Sequence, residues 1–369
     1  MNKTWIEINK TAARQNIEKI KALLQPKTKL WAVVKSNAYG HGLSVFSKIA
    51  NENGADGFCV DSVIEGEKLR QEGIKKPILV LGPTFKRFFP SAVKNKITIT
   101  ISNLESLKEL VQSKSKPEFH LKIDTGMHRQ GFYAPELSKV VRLLKTQKVR
   151  NSITGVYTHL ASAKDINYPT FTDLQFKEFQ KAIKLLERAG FRNLIKHAAA
   201  TGGTLINPKY HLDAARIGIG LYGLWPSMEL AIQLSKIKFK PVLSWRALVS
   251  EIKSLRTGDY VGYDLTERIQ RPSKAAILPI GYWHGFPRAL SGIGEVLIGG
   301  KKCRVLGRVS MDMIIVDVTG VKCERGSRAT LIGKQASFEI TVYDMARKLG
   351  ASHYEIITRI NPLIERVIV

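Results

Sequence analysis

Short β-branched runs alternate with amphipathic stretches of about ten to fifteen residues through the first two thirds of the chain. Eight such runs stand out: KLWAVVK, ADGFCV, PILVLG, ITITI, EFHLKID, ITGVYTH, NLIKHAA and DAARIGI. Between them lie segments such as SVIEGEKLRQEG and LESLKELVQ, whose apolar positions recur at helical spacing. Strands that alternate with helices pair in parallel, and eight of them predict a closed (β/α)8 barrel of the TIM type. The helical stretch TAARQNIEKIKALL precedes the first run, so the barrel is expected to begin near Asn9. From about Lys238 the rhythm changes to short strands broken by glycine turns, as in GEVLIGGKKCRVLGRVSMDMIIVDVTG. That spacing predicts a mostly antiparallel all-β domain. The expected division is an α/β barrel over 1–237, with the first few residues free to join the other domain, and a C-terminal β domain over 238–369.

Composition narrows the picture. Of 369 residues 44% are apolar, enough for a large core, and no run approaches the roughly 20 apolar residues of a membrane span. The N-terminal MNKTWIEINKTAARQNIEKI alternates polar and apolar residues without a secretory apolar stretch, so no membrane association and a cytoplasmic location are expected. The net charge of +27 raises the question of nucleic acid. Its lysines are spread over helix faces, as in IEKIKALL and KAIKLLERAG, with no aromatic-interleaved basic segment, so no nucleic-acid partner is expected. Cys59, Cys303 and Cys323 are odd in number and widely spaced, which argues against disulfides or a zinc site and for three buried, reduced thiols. No metal is expected.

Candidate chemistry gathers at strand ends, where barrels of this type place it. The first strand ends on Lys35, and partial burial there would make it an imine former or a base. Tyr39 follows in YGHG. Lys122, Asp124 and Arg129 follow the fifth strand, His159 the sixth, Thr201 the seventh, and Arg216 lies near the eighth. His197, inside an apolar run, reads by itself as a hydrogen-bonded core residue. GIGLYG, from Gly218 to Gly223, matches a dinucleotide fingerprint in form, but Trp225-Pro226 stands where its helix should run. A glycine turn after the eighth strand fits a phosphate cradle instead, with Thr201-Gly202-Gly203 beside it. An imine-forming lysine, a phosphate cradle and basic groups around a pocket point to pyridoxal 5'-phosphate as cofactor.

The strings AVVKSNAYGHG, LKIDTGMHRQG, YTHLA, ARIGIGLYG, VGYDLT, PIGYWHGFPR and GRVSMDM, in this order, resemble the landmarks of the alanine racemase family. The resemblance implies a two-base racemisation of L- and D-alanine that supplies D-alanine for peptidoglycan. It implies that Lys35 carries the cofactor and serves as base on one face, and that Tyr263 is the second base. Tyr39, Thr201, Gly218 and Ile219 are implied as phosphate contacts, His159 as a neighbour of the pyridine ring, and Arg216 as the partner of the pyridine nitrogen. Lys122 matches a lysine that family members often carry as a carbamate, holding Arg129 toward the cofactor and the substrate carboxylate. Tyr282, Met311 and Asp312 would shape the entrance and substrate site of a neighbouring subunit, in a homodimer with shared active sites.

Three departures from that pattern stand out. Trp283-His284 occupy the place of Ala-Asp, which puts the entrance in question. Ala200 and Thr201 replace an asparagine and a serine after His197. Pro362 stands where many members have a phosphate-binding tyrosine. A racemase of broader scope, accepting serine for example, and a non-catalytic pyridoxal-phosphate carrier are the alternatives, and a β domain bearing Tyr263 speaks against the carrier.

Overall fold

The computed structural model describes residues 3–146 and 149–369. The chain divides into two compact units, one of Thr11–Ala38 and Phe46–Lys240, the other of residues up to Lys10, Tyr39–Val45 and Pro241–Val369. β1 (Thr4–Ile8) belongs to the second unit. The first is built on β2 (Lys29–Val33), β3 (Gly57–Val60), β4 (Ile78–Pro83), β5 (Thr98–Ile101), β6 (Phe119–Lys122), β7 (Ile153–Tyr157), β8 (Ile195–His197) and β9 (Ala214–Ile217). They pair in parallel in the order β8-β7-β6-β5-β4-β3-β2-β9. A parallel bridge between Ala200, just past β8, and Arg216 on β9 joins the two edges of this sheet. The eight-stranded barrel is therefore the one the alternating pattern predicts.

Helices cover the strands because their apolar positions recur on one side. In the helix Thr170–Arg188 the buried residues Phe176, Phe179, Ile183 and Leu186 follow that spacing. Several helices start on a side-chain cap: the Ser62 hydroxyl accepts the Glu65 N–H, and the Asn103 side chain accepts the Ser106 N–H. Inside the barrel, close packing depends on two missing side chains. A Cβ on Gly155 would stand 2.5 Å from the His120 ring, and one on Gly57 would stand 2.8 Å from Trp31 Nε1. Glycine on β3 and β7 thus makes room for the large rings of β2 and β6.

The second unit is mostly antiparallel. Its strands are β10 (Leu243–Leu248), β11 (Glu251–Leu255), β12 (Tyr260–Val261), β13 (Glu267–Arg268), β14 (Ser273–Leu278), β15 (Glu295–Ile298), β16 (Lys301–Leu306), β17 (Ile314–Asp317), β18 (Arg328–Gln335), β19 (Phe338–Ile340) and β20 (Glu365–Ile368). The main sheet runs β11-β14-β17-β16-β15-β18-β10-β1-β20, with β19 on β18 and a separate β12-β13 pair. β1 enters it antiparallel to β10 and parallel to β20. Tyr39–Val45 lies within the stretch read as barrel but belongs to this unit. Arg366 donates to Gly40 O at 3.2 and 2.9 Å, and at Gly40, with φ +83°, a Cβ would sit 2.0 Å from Ile357 O.

Among the described residues no helix is long and apolar enough to cross a membrane. The three cysteines are free thiols. Cys59 and Cys303 are buried as expected, whereas Cys323 is only half-buried, because it lies in the loop after β17 rather than on a core strand.

Candidate active site

Lys35 stands two residues beyond the last residue of β2. Its Nζ is 3.7 Å from Asp61 Oδ1, at the end of β3, and both side chains reach solvent. The chain leaves Lys35 in an unusual way. Ser36, Asn37, Ala38 and Tyr39 all have positive φ, between 52° and 55°, a region that L-residues other than asparagine enter at a cost.

Arg216, on β9, is buried at 3% exposure. Its Nη1 donates to His197 Nδ1 at 2.6 Å, and its Nη2 donates to Thr158 O at 2.8 Å and Ala198 O at 3.0 Å. His159 Nδ1 lies 3.4 Å from the same Nη2. An arginine only donates. His197 Nδ1 must therefore accept, which leaves the proton on Nε2. Nε2 lies 2.7 Å from His120 Nδ1, which must accept in turn. One fixed cation thereby assigns the tautomers of two buried rings, and burial and Arg216 hold both well below the ordinary histidine range, His120 at about 3. Tyr157 stacks on His197 at 4.7 Å and 7°, and Arg216 lies over the same tyrosine ring at 5.0 Å. Among the described residues no carboxylate lies within ion-pair distance of Arg216.

Lys122 ends β6, buried at 6% exposure, and its Nζ donates to Gln130 Oε1 at 2.9 Å. Burial, reinforced by Arg129 and Arg216, lowers its pKa to about 8. Gln130 Nε2 is a buried donor with no hydrogen-bond partner. The loop that carries Arg129 is folded around Asp124. Its Oδ1 accepts the N–H groups of Gly126, Met127 and His128, and its Oδ2 accepts that of Arg129. Burial raises the Asp124 carboxyl, but these four bonds more than offset it and the net shift is downward. His159 is brought down to about 3 by burial and then by Arg216, Arg129, Lys122 and Lys35. All four cations thus act on one neutral imidazole.

The two turns expected to cradle phosphate meet each other. Thr201 opens the short helix Thr201–Ile206, whose N-cap Ala200 offers no side-chain acceptor. Thr201 Oγ1 accepts the Gly220 N–H at 3.3 Å, and a Cβ on Gly220 would stand 2.8 Å from Thr201 Cγ2. Gly218 and Ile219 begin this second turn, each accepting a hydrogen bond from the residue three places on.

The second unit carries the remaining candidates. The Tyr282 and Trp283 N–H groups donate to Ser310 O and Met311 O at 3.0 Å, and a Cβ on Gly262, beside Tyr263, would meet Arg308 N at 3.5 Å. Tyr263 (67% exposed), Tyr282, Trp283, Met311 and Met313 all reach solvent. The two departures at 283 and 284 part company. Trp283 faces outward, while His284 is buried and its Nδ1 accepts the Gly281 N–H at 3.2 Å. A ring that accepts there is neutral, consistent with the downward shift that burial gives it, so its 3.9 Å approach to Asp312 is not an ion pair. Tyr39 lies in this unit, its ring 6.1 Å from that of Tyr354.

The family model for the alanine racemase N-terminal domain matches residues 8–226, and that for the C-terminal domain matches 242–368. The chain is 36% identical to the alanine racemase of Leptospira interrogans (serogroup Icterohaemorrhagiae serovar copenhageni, strain Fiocruz L1-130) over 377 residues, covering 99% of this chain and 96% of that one. It is 38% identical to the alanine racemase of Methanococcus maripaludis, over 98% of both chains. The solved alanine racemase of Bacillus anthracis with bound L-Ala-P superposes with a TM-score of 0.93 at 33% identity, covering 100% of this chain and 95% of that one. The chain belongs to the alanine racemase family.

In this alanine racemase family member, Lys35, Arg129 and Arg216 all lie within electrostatic reach of Lys122 and of His159. Sequence reasoning missed Asp61, Glu65, His120 and Gln130. Of these only His120 carried a signal, a polar ring at an inward position of the apolar run EFHLKID, beside the glycine that ITGVYTH places on the next strand.

Proposed function

We propose that the chain interconverts L- and D-alanine in the cytoplasm, using pyridoxal 5'-phosphate and a pair of bases on opposite faces of the substrate. The observation that carries this reading is the cluster at the barrel's strand ends: Arg216, Lys122, Arg129 and Lys35 around a neutral His159. Arg216 is buried there without a carboxylate, and a buried cation of that kind is costly unless something anionic or electron-rich completes it. The residues fit the cofactor. Lys35 would hold it covalently, Arg216 would face its pyridine nitrogen, and His159 would lie beside its ring. Thr201, Gly218 and Ile219, with Tyr39, would take its phosphate. Bound there, pyridoxal phosphate supplies the electron sink that acidifies the α-proton of an amino acid.

Each protein group then has a defined task. Lys35 takes or returns the proton on one face, and a tyrosine does so on the other. Arg129 holds the substrate carboxylate. Arg216 donates a hydrogen bond but keeps its proton, so it limits how much negative charge the ring nitrogen absorbs and favours return of the proton to carbon. Lys122, with its lowered pKa and the partnerless Gln130 Nε2 beside it, has the free amine and the waiting donor that a carbamate needs. For the second base the proposal is Tyr263 of the partner subunit in a homodimer with shared sites. The exposure of Tyr263, Tyr282 and Met311, with the Trp283 N–H bonded to Met311 O, supports it. D-Alanine made this way would serve peptidoglycan synthesis.

The test is turnover of L-alanine, L-serine and other small amino acids followed on a chiral column, with borohydride reduction and peptide mapping of the loaded enzyme. Racemisation of alanine ahead of the others, with the cofactor fixed on Lys35, is expected. Label on another lysine, or no D-alanine, refutes the reading.

A further inference from the structure

We infer that Glu65 is a positioning residue for the reaction, joining the backbone on which Lys35 stands to the backbone of Asp61. The inference rests on the proposed role of Lys35. Glu65 lies in the first turn of the helix Val63–Gln71. Its Oε1 accepts the Ser36 N–H and its Oε2 accepts the Asp61 N–H, each at 2.7 Å. Ser36 directly follows Lys35, and Asp61 is the residue whose carboxylate faces Lys35 Nζ at 3.7 Å. A single carboxylate thus ties together the chain leaving β2 and the chain leaving β3 with two charge-assisted bonds.

The tie has something to hold. The run from Ser36 to Tyr39 keeps a left-handed backbone that none of its residues has the freedom of glycine to adopt. Bonding the first amide of that run to a rigid helix start fixes where the run begins, and with it the direction of the Lys35 side chain. The helix itself is packed tightly on the barrel at Gly66, where a Cβ would stand 2.9 Å from Ile97 Cδ1 and 3.4 Å from Ile78 Cγ2. A glutamate three residues after the cap Ser62 commonly reaches back to the amides at the helix entry, and the Asp61 bond is of that kind. The other oxygen goes 29 positions away, to the Ser36 N–H, which capping of this helix does not require. The geometry therefore assigns it to the lysine's setting, without contact to the reacting atoms.

The test uses Glu65→Ala and the near-isosteric Glu65→Gln in the full-length protein, with two readouts. Without cofactor, hydrogen exchange of the peptides holding Ser36 and Asp61 should quicken by about 10-fold or more in Glu65→Ala, while strands elsewhere in the barrel keep their protection. With cofactor, kcat should fall by roughly 10²-fold, the scale of an angstrom-sized misplacement of a catalytic group, with KM for alanine little changed. Glu65→Gln keeps one acceptor and turns an NH2 toward the other amide, so it should fall between. Unchanged exchange at both amides, faster exchange with undiminished kcat, or loosened exchange throughout the barrel would each overturn the assignment. Lys35→Ala serves as the control. If it is inactive while the Glu65 variants are not, only the tie fails; if Lys35→Ala still turns over, the base assignment fails with it.

Discussion

Lowering the pH from 7 to 5 asks the barrel to charge histidines that it holds as neutral rings, His120 and His197 among them. His120 has a folded pKa of about 3, and His197 lies well below its ordinary 6.5, both first through burial and then through Arg216. The unfolded chain binds these protons near pH 6.5 and the folded chain does not. Their contribution to stability is thus fully present above pH 6.5 and is lost as pH falls from there toward 3. At pH 5, about 1.5 units below the unfolded pKa, keeping the His120 ring neutral costs on the order of 2 kcal/mol, and His197 is shifted in the same direction. A cost of that size is a large fraction of a typical domain's total.

The variant that isolates the effect is His120→Gln, which keeps an acceptor for the His197 Nε2–H but cannot titrate. It will lower stability at pH 7 through lost contact with Trp31, so the slope and not the absolute value is compared. Hydrogen exchange of β6 and β8 peptides, measured at several pH values, reads the opening free energy of the barrel separately from the second unit. The variant should lose about 2 kcal/mol less than the parent between pH 7 and pH 5. Identical slopes would show that His120 is not held neutral by the fold and would refute the reasoning.

Three further outcomes are expected. With 13C-labelled bicarbonate, the protein should show a carbamate resonance that Lys122→Ala abolishes; a spectrum without that signal in the parent protein counts against the carbamate. Arg216→Glu should lower kcat for racemisation by on the order of 10²-fold or more and raise the pyruvate released per D-alanine formed. It should also destabilise the barrel, since Thr158 O, Ala198 O and His197 Nδ1 lose their donor at about 1–3 kcal/mol each; unaltered partitioning between the two products would sink the proposed role. Heterodimers assembled from Lys35→Ala and Tyr263→Ala chains, isolated by two affinity tags, should regain one intact site and roughly half of the parent activity. Their remaining as dead as either homodimer, with cofactor bound, would exclude a shared site.

What the sequence made legible depended on periodicity. The eight barrel strands and the glycine-punctuated second unit could be read because burial imposes a period on each. Lys35, Arg216 and Thr201 could be read because strand ends are where a barrel keeps its chemistry. Glu65 was not legible, since a glutamate in a first helical turn is ordinary and one of its partners, the Ser36 N–H, lies 29 positions away. The left-handed run was hidden for a related reason, because only Asn37 among Ser36, Asn37, Ala38 and Tyr39 is a residue type that tolerates positive φ. The split between Trp283 and His284 escaped because both were assigned by position to one surface. A local hydrogen bond to Gly281 turns one of them inward, and no spacing rule reports that. Tyr39–Val45 went unrecognised as part of the second unit because the interactions that fix it, from Arg366 and beside Ile357, come from more than 300 residues away.

The electrostatics of the barrel site follow from one residue that cannot titrate. Arg216 keeps its proton at any working pH, and the donor it presents forces His197, and through it His120, into neutral tautomers. His159 is neutral as well, first through burial and then under the same charge and three others. With the arginines permanently charged and the histidines held as neutral rings, Lys122 is the member of this cluster whose pKa is drawn toward neutral, lowered to about 8 first by burial and then by Arg129 and Arg216. Racemisation needs a proton to leave carbon and come back without being diverted, and a surround of neutral rings offers it no competing acceptor that gains by taking it. Substituting His120 should therefore move the stability profile while leaving the pH–rate profile where it was.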